Sequence, residues 1–460
     1  MTLTGEHARQ YANTLKGNTY MNKIVVKFGG SSLASASQIR KAVDIIRADP
    51  DRRYVVCSAP GKRSGDDIKV TDLLYACYDK AAAGDDFAPV LEQIRVRFAQ
   101  IVEELGVSFD VDGEIEVMRA HLQAKPDRDY MASRGEYLNS KIIAAYLGFP
   151  FVDAADYVTF YADGAYNAQE TTHKLSAALA DKDYAVVPGF YGALPNGDIH
   201  TFSRGGSDLT GSIVALAVGA SLYENWTDVS GMLAADPRLV DDPHTIEHIT
   251  YKELRELSYM GASVLHEDAV FPVRTAGIPI NIRNTNAPAD VGTMIVPTIP
   301  DDIKKRVVTG VAGKKGFSSI QIEKSMMNAQ SGFLVRVLDI IAAHGVPFEH
   351  CPTGIDTISV IVETEAFRNR REAILREIHE RLHPDMVILE NGLAMIAVVG
   401  QGMVSYKGVA AKIFGAVADA GINIRMIDQG SSELNIIIGV EEADYEKAIR
   451  SIYKAVEKLM

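Results

Sequence analysis

A lysine inside an apolar run that ends in two glycines constrains this chain more than any other feature. Ile24-Val25-Val26-Lys27-Phe28 reads as a buried strand, and Gly29-Gly30-Ser31-Ser32 follows at once. A short apolar run bounded by glycine fits the centre of a parallel sheet. A charge there is costly unless an opposite charge meets it. Glycines beside it let the backbone approach a ligand and aim N–H groups at it. The segment therefore points to a phosphate at the carboxyl end of the first strand. The alternative is a lysine that snorkels to solvent ahead of an ordinary turn.

From residue 21 to about 300 the pattern alternates strands (24–28, 54–58, 151–153, 185–187, 278–282) with helices (37–47, 71–82, 134–147, 208–219). That alternation implies an α/β fold with a mostly parallel sheet covered by helices, and ligands beyond the carboxyl ends of the strands. At 460 residues the chain exceeds one ordinary core, so two to four domains are expected. A formal charge of −13 argues against broad nucleic-acid or anionic-membrane binding. No apolar run approaches the length of a membrane span. Cys57, Cys77 and Cys351 are widely spaced, which disfavours a disulfide framework or a zinc site and fits a reducing cytoplasm. Residues 1–20 are polar, without the apolar core of a signal peptide, and read as an N-terminal extension.

Beyond about residue 305 the sequence repeats itself at a constant offset of 76 residues. Gly332 pairs with Gly408, Val337 with Ile413, Gly345 with Gly421, Ile320 with Ile396 and Val360 with Ile436. Each copy reads strand, helix, glycine, strand, strand. Two copies are too few for a solenoid and suggest paired α+β modules. A duplicated platform without a ligand is the alternative.

Three further clusters carry chemistry. Phe202-Ser203-Arg204-Gly205-Gly206-Ser207-Asp208 precedes a helix that Ser207 or Asp208 could cap, with Arg204 placed to pair with a carboxylate or phosphate. Ser133-Arg134-Gly135-Glu136 reads as a helix opening whose glutamate either favours the helix dipole or holds an ammonium. Asn225-Trp226-Thr227-Asp228-Val229-Ser230-Gly231 leads to Asp236-Pro237-Arg238, which could start a helix. There is no GxxxxGK[ST] loop, no GxGxxG with a ribose acid, no protein-kinase set and no HExxH.

Taken in order, KFGGSS (27–32), SRGE (133–136), PGFYG (188–192), FSRGGSD (202–208), WTDVSG (226–231), DPR (236–238) and GASVLH (261–266) resemble the aspartate kinases, and the repeat resembles that family's ACT pair. The resemblance covers 21–460. It implies an amino-acid-kinase-type three-layer sandwich over 21–304, then two ferredoxin-like ACT modules at 305–388 and 389–460, the last segment possibly completing the first. It implies a monofunctional enzyme that transfers the ATP γ-phosphoryl, with Mg²⁺, to the side-chain carboxylate of L-aspartate.

By the same resemblance Lys27 meets the phosphoryl with Gly29 and Gly30, and Asp208 orients Lys27. Ser58, Thr71, Glu136, Phe190, Arg204 and Ser207 bind aspartate, while Thr227, Asp228 and Arg238 hold the nucleotide. No residue is assigned as a protein metal ligand. Met327, Gln330, Gly332, Phe333, Leu334, Phe348, Glu349 and Thr353 form an effector site for an amino acid, L-lysine ahead of threonine, in a homodimer or larger homo-oligomer joined through its ACT modules. The chain has Ser263 where many relatives carry lysine and Leu233 where many carry tyrosine, so those two nucleotide contacts are not expected. The competing readings are another amino-acid kinase, such as a glutamate kinase, and an amino-acid sensor whose kinase half is inactive.

Overall fold

The computed structural model describes residues 22–460 except 204, 263, 264, 266, 301, 302, 304 and 305. The expectations for residues 1–20, Arg204 and Ser263 lie outside the described residues. The chain forms two compact units. The first gathers the described residues up to Met232 with those of Thr245–Tyr251 and Val264–Ile299; the second takes those of Leu233–His244, Lys252–Ser263 and Pro300–Met460.

Among the described residues the first unit is built on a sheet of seven strands: β1 (Ile24–Phe28), β2 (Arg52–Cys57), β3 (Ala185–Pro188), β4 (Leu222–Thr227), β5 (His248–Thr250), β6 (Ile280–Asn284) and β7 (Thr293–Val296). Their order is β3-β2-β1-β4-β6-β7-β5. All neighbours run parallel except the antiparallel pair β6–β7. Val25, Val26 and Phe28 are fully buried, as a central strand covered on both faces requires. The order reverses between β1 and β4, which opens a crevice beyond their carboxyl ends.

Five helices of this unit matter for the site: α1 (Ala36–Arg47), α2 (Val70–Ala83), α3 (Ala88–Leu105), α4 (Arg128–Leu147) and α5 (Gly206–Ala217). The carboxylate of Asp127 caps α4 by accepting the Tyr130 N–H, and Gly148 closes it in the left-handed conformation. Thus α4 starts six residues before the expected 134, and the SRGE segment lies inside the helix. Helix α5 is capped by Gly205, so Ser207 and Asp208 occupy its first turn rather than its cap. The expected strand at 151–153 reduces to a single bridge from Phe151 to Val186, because Asp153 turns the chain by capping a short helix at Ala154–Tyr157. Asp236-Pro237-Arg238 forms a turn, not a helix start.

Buried charges brace this sheet. Glu224 on β4 accepts two hydrogen bonds from Arg52 (2.8 and 3.1 Å) and one from the Trp226 indole (2.8 Å), and Arg283 lies 3.6 Å away. The two guanidiniums sit 5.3 and 4.5 Å from the centre of the Trp226 ring. Trp226 in turn stacks on Phe28.

The second unit holds a six-stranded sheet: β8 (Gly310–Glu323), β9 (Phe348–His350), β10 (Thr357–Glu363), β11 (Met386–Val399), β12 (Met426–Asp428) and β13 (Asn435–Glu441), ordered β9-β10-β8-β11-β13-β12. Two long strands are shared. Residues 317–323 of β8 pair with β10 and with the first half of β11, while 310–315 pair with the second half of β11, which also pairs β13. Gly316 (φ +94°) and Gly392 (φ +75°) mark the crossover in a conformation that disfavours a Cβ. The repeats therefore interleave. Each carries more than one helix: α6 (Phe333–Ala343) and α7 (Arg371–Leu382), with a short helix at Thr364–Arg368 between them, then α8 (Val409–Asp419) and α9 (Tyr445–Val456). Ile320, Val337, Ile340, Val360 and Ile378 centre the first module's core.

Glu224→Ala should destabilise the first unit by about 3–5 kcal/mol, since it leaves two guanidiniums buried without their counter-charge. Urea unfolding followed by the fluorescence of Trp226, the single tryptophan, reads this unit directly.

Candidate active site

Lys27 occupies the fourth position of β1, in register with Val56 on one side and Asn225 on the other. Its side chain is 9% exposed, and Nζ lies 2.5 Å from Oδ1 of Asp208. The first turn of α5 brings Asp208 there, and the Asn225 amide donates to the same oxygen at 2.9 Å. Sequence reasoning placed Asn225 at the head of a cluster but gave it no role, although a polar residue buried in a strand needs a partner. The lysine is thus held at the strand end by a carboxylate that is itself fixed.

The two glycine turns meet here. Gly29 donates its N–H to the Trp226 carbonyl at 2.9 Å, so that group is engaged in the fold rather than offered to a phosphate as the sequence suggested. Gly30 accepts a 2.8 Å hydrogen bond from Gly61 N–H in the turn after β2. A Cβ on Gly61 would fall 2.6 Å from the Gly30 carbonyl carbon. Only glycine allows this approach.

Glu136, on α4, is buried beside these groups. Its Oε2 has no hydrogen-bond partner. Burial pushes its carboxyl from the usual 4.5 up to about 8, against the opposing pull of the Ala59 and Glu136 backbone N–H groups, the Lys27 charge and the Ser207 hydroxyl. Lys27 is committed to Asp208, so among the described residues Glu136 has no cation of its own.

Other expected residues fall around this cluster. Ser207 is buried, and its Cβ lies 2.7 Å from where a Cβ on Gly189 would stand. Phe190 takes φ +80°, a left-handed conformation that costs a non-glycine residue energy. The Thr210 hydroxyl accepts its N–H at 3.0 Å, and a Cβ at Gly206 would meet its ring at 2.7 Å. Ser58 follows β2, its carbonyl bonded by the Asn139 amide at 2.8 Å, and Thr71 is the second residue of α2. Thr227 ends β4, its hydroxyl bonded to Asp228 at 3.1 Å. Arg238 belongs to the second unit, where it is exposed and paired with Asp236 at 2.6 Å. Leu233 also falls in that unit.

The expected effector residues divide by burial. Met327 and Phe333 are in the core of the first module, and Gly332 caps α6 at φ +73°. Gln330 ends the turn ahead of that helix, its N–H bonded to the Met327 carbonyl. Leu334 and Phe348 are exposed, and Thr353 bridges to Ile358. The Tyr259 hydroxyl donates a hydrogen bond to Glu349.

An ion-paired lysine, two interlocked glycine turns and a buried acid thus come together beyond the strand ends. The comparisons fix the chain's kin. Residues 22–284 match the amino acid kinase family and 396–456 match an ACT domain. The chain is 40% identical over 448 residues to Aspartokinase 3 of Bacillus subtilis, spanning 94% of this chain and 98% of that one. The fold matches the crystal structure of Clostridium acetobutylicum aspartate kinase with a TM-score of 0.84 and 47% identity, over 94% of this chain and 99% of that one. It also matches E. coli aspartokinase III in complex with aspartate and ADP (TM-score 0.74, 24% identity, 95% and 100% covered), a likeness in fold. The chain belongs to the aspartokinases of the amino acid kinase family.

Glu136 makes the ligand-free protein sensitive to pH. Below about pH 4.5 its carboxyl is neutral folded or unfolded; between there and about 8 the unfolded chain ionises first, so stability falls, and above about 8 the loss is complete. Each pKa unit is worth about 1.4 kcal/mol. Glu136→Gln, neutral throughout, should gain thermal stability over the wild type by a margin that widens from pH 5 to 8.5 and then levels. Melting curves of both proteins across that range check it.

Proposed function

We propose that the chain transfers the γ-phosphoryl of ATP to the side-chain carboxylate of L-aspartate, giving ADP and 4-phospho-L-aspartate. The observation that carries this is Glu136: a buried acid that has no cation of its own among the described residues, beside a lysine that is held in place. An amino-acid ammonium supplies the missing charge, and the lysine faces the group being moved. A substrate carboxylate oxygen attacks the γ-phosphorus, the bond to the bridging oxygen of ADP breaks, and charge grows on the phosphoryl oxygens. Such a reaction needs positioning and charge stabilisation more than covalent help.

In this reading Lys27 neutralises the phosphoryl oxygens, Asp208 keeps Lys27 aimed, and Gly30 lets the chain approach the phosphates closely. Glu136 and Arg204 take the ammonium and a carboxylate of aspartate. Ser58, Thr71 and Ser207 line the pocket and Phe190 walls it; Thr227 and Asp228 hold the nucleotide. Magnesium fits as the companion of the ATP phosphates, with Asp208 the carboxylate at hand to share it. Among the described residues no His, Cys, Asp and Glu gather in threes to form a protein metal cage. When bound, the ion neutralises phosphate charge. Among the described residues no helix is long and apolar enough to cross a membrane, and we assign the enzyme to the cytoplasm, where its nucleotide is.

The ACT pair confers feedback inhibition in this proposal. L-Lysine binds at the turn before α6 and on β9, where its ammonium displaces the Tyr259 hydroxyl from Glu349. The exposed Val335, Phe348 and Ile355 suit pairing of two chains through their first modules. An effector that binds an inactive state more tightly than the active one by about 1–3 kcal/mol suffices for control. The intact Lys27–Asp208 pair speaks against a sensor with a dead kinase half.

Two experiments test these readings. In a coupled assay with ATP, Mg²⁺ and L-aspartate, Lys27→Ala should lower kcat by roughly 10²–10³ or more, the scale on which a preorganised charge stabiliser acts; unchanged turnover would remove Lys27 from the chemistry. Added L-lysine should inhibit the wild type, and Glu349→Ala should weaken that inhibition while uninhibited kcat stays the same. Inhibition by threonine alone would reassign the effector.

A further inference from the structure

Arg97, on α3, lies outside every motif in the sequence, yet it is among the most buried cations of the first unit, 4% exposed. Its guanidinium makes three contacts, each to a different piece of chain. One nitrogen donates to Asp67 at 2.6 Å. The other donates to two carbonyls: Gly61 at 2.7 Å and Ala34 at 2.8 Å. Ala34 ends the turn Ser31–Leu33 that Gly30 begins. Gly61 is the residue that bonds back to Gly30. One cation thus ties the far ends of both glycine turns, and Asp67 anchors the loop from β2 to α2.

Desolvating a guanidinium costs several kcal/mol unless it is fully paired. Here Nε has no partner at all, so filling a core would be served better by leucine. What an arginine adds is a rigid planar fork that fixes two acceptors at a set spacing. Peptide groups are planar and trans. Fixing the Gly61 carbonyl toward Arg97 therefore fixes the following N–H, that of Lys62, toward the opposite side. Asp67 secures the arrangement from outside. It accepts from the backbone N–H and side chain of Arg63 as well as from Arg97, and these arginines, Arg63 foremost, hold its carboxyl well below the usual range.

We propose that Arg97 is a positioning residue for phosphoryl transfer: by clamping Ala34, Gly61 and Asp67 it sets the Gly30 turn, where the ATP phosphates approach, against the Gly61 turn that packs on it. This rests on the reading of the Gly30 turn given above. Arg97 touches neither substrate. Its loss should therefore lower kcat and leave the aspartate KM alone, because the amino-acid pocket is built by other residues.

The test compares Arg97→Lys, Arg97→Ala, Asp67→Asn and Lys27→Ala at a temperature below the melting point of each. Arg97→Lys keeps the charge but not the fork, and should lose at least tenfold in kcat with the aspartate KM within twofold of wild type. Guanidinium ion at millimolar concentration should restore part of the turnover of Arg97→Ala and none of that of Lys27→Ala. Asp67→Asn, which keeps the shape of the side chain and removes only its charge, should lower kcat about threefold and serves if the Arg97 variants do not fold. If Lys27→Ala is inactive while Arg97→Lys and Asp67→Asn turn over at the wild-type rate, the clamp is wrong and the phosphate reading stands. Lower melting points without a change in kcat would likewise reduce Arg97 to a structural residue and overturn the proposal. If Lys27→Ala turns over normally, the phosphate reading falls, and the clamp falls with it.

Discussion

A cation at the end of a buried strand must be neutralised where it stands, and the first unit is arranged around that requirement. Lys27 cannot retreat to solvent because β1 is central. The fold instead delivers Asp208 on the first turn of α5 and fastens it with Asn225 from the adjacent strand. With that pair closed, no described cation is left to pair with Glu136, and burial pushes its carboxyl up to about 8.

Much of this was legible because the informative residues break local rules. A short apolar run bounded by glycine is the pattern of a central parallel strand, so β1 could be read directly, and the lysine inside it required an opposite charge. The 76-residue offset revealed the modules because their cores fall at matching positions, such as Val337 with Ile413. The boundaries were less legible. The SRGE segment looked like a helix start because a first-turn glutamate favours the helix dipole, but Asp127 caps α4 earlier. Ser207 and Asp208 looked like caps, but Gly205 in the left-handed conformation takes that place. In both cases a residue just upstream competes for the same role, and only the backbone conformation decides between them.

What stayed hidden depends on distance along the chain. Glu224 needs Arg52 and Arg283 from other strands, and the contacts of Arg97 are 30, 36 and 63 residues away. Such residues carry no local pattern. A lone arginine in an amphipathic helix reads as a solvated face, and its burial shows only when the loops it binds have been placed. The interleaving of the modules was hidden for the same reason. Residues 310–315 look like the lead-in to the first repeat and belong by pairing to the second.

That exchange of strands affects how the chain comes into being. On the ribosome, residues 310–315 emerge before either module is complete, and their partners at 394–399 follow about 80 residues later, which is roughly 4–16 s at ordinary rates of synthesis. Through that interval the first module lacks its part of β11, and of the second module's shared strands only residues 310–315 have emerged. Neither can mature alone. The regulatory unit is therefore assembled late, and largely in one step, after the kinase sheet that precedes it has had time to form.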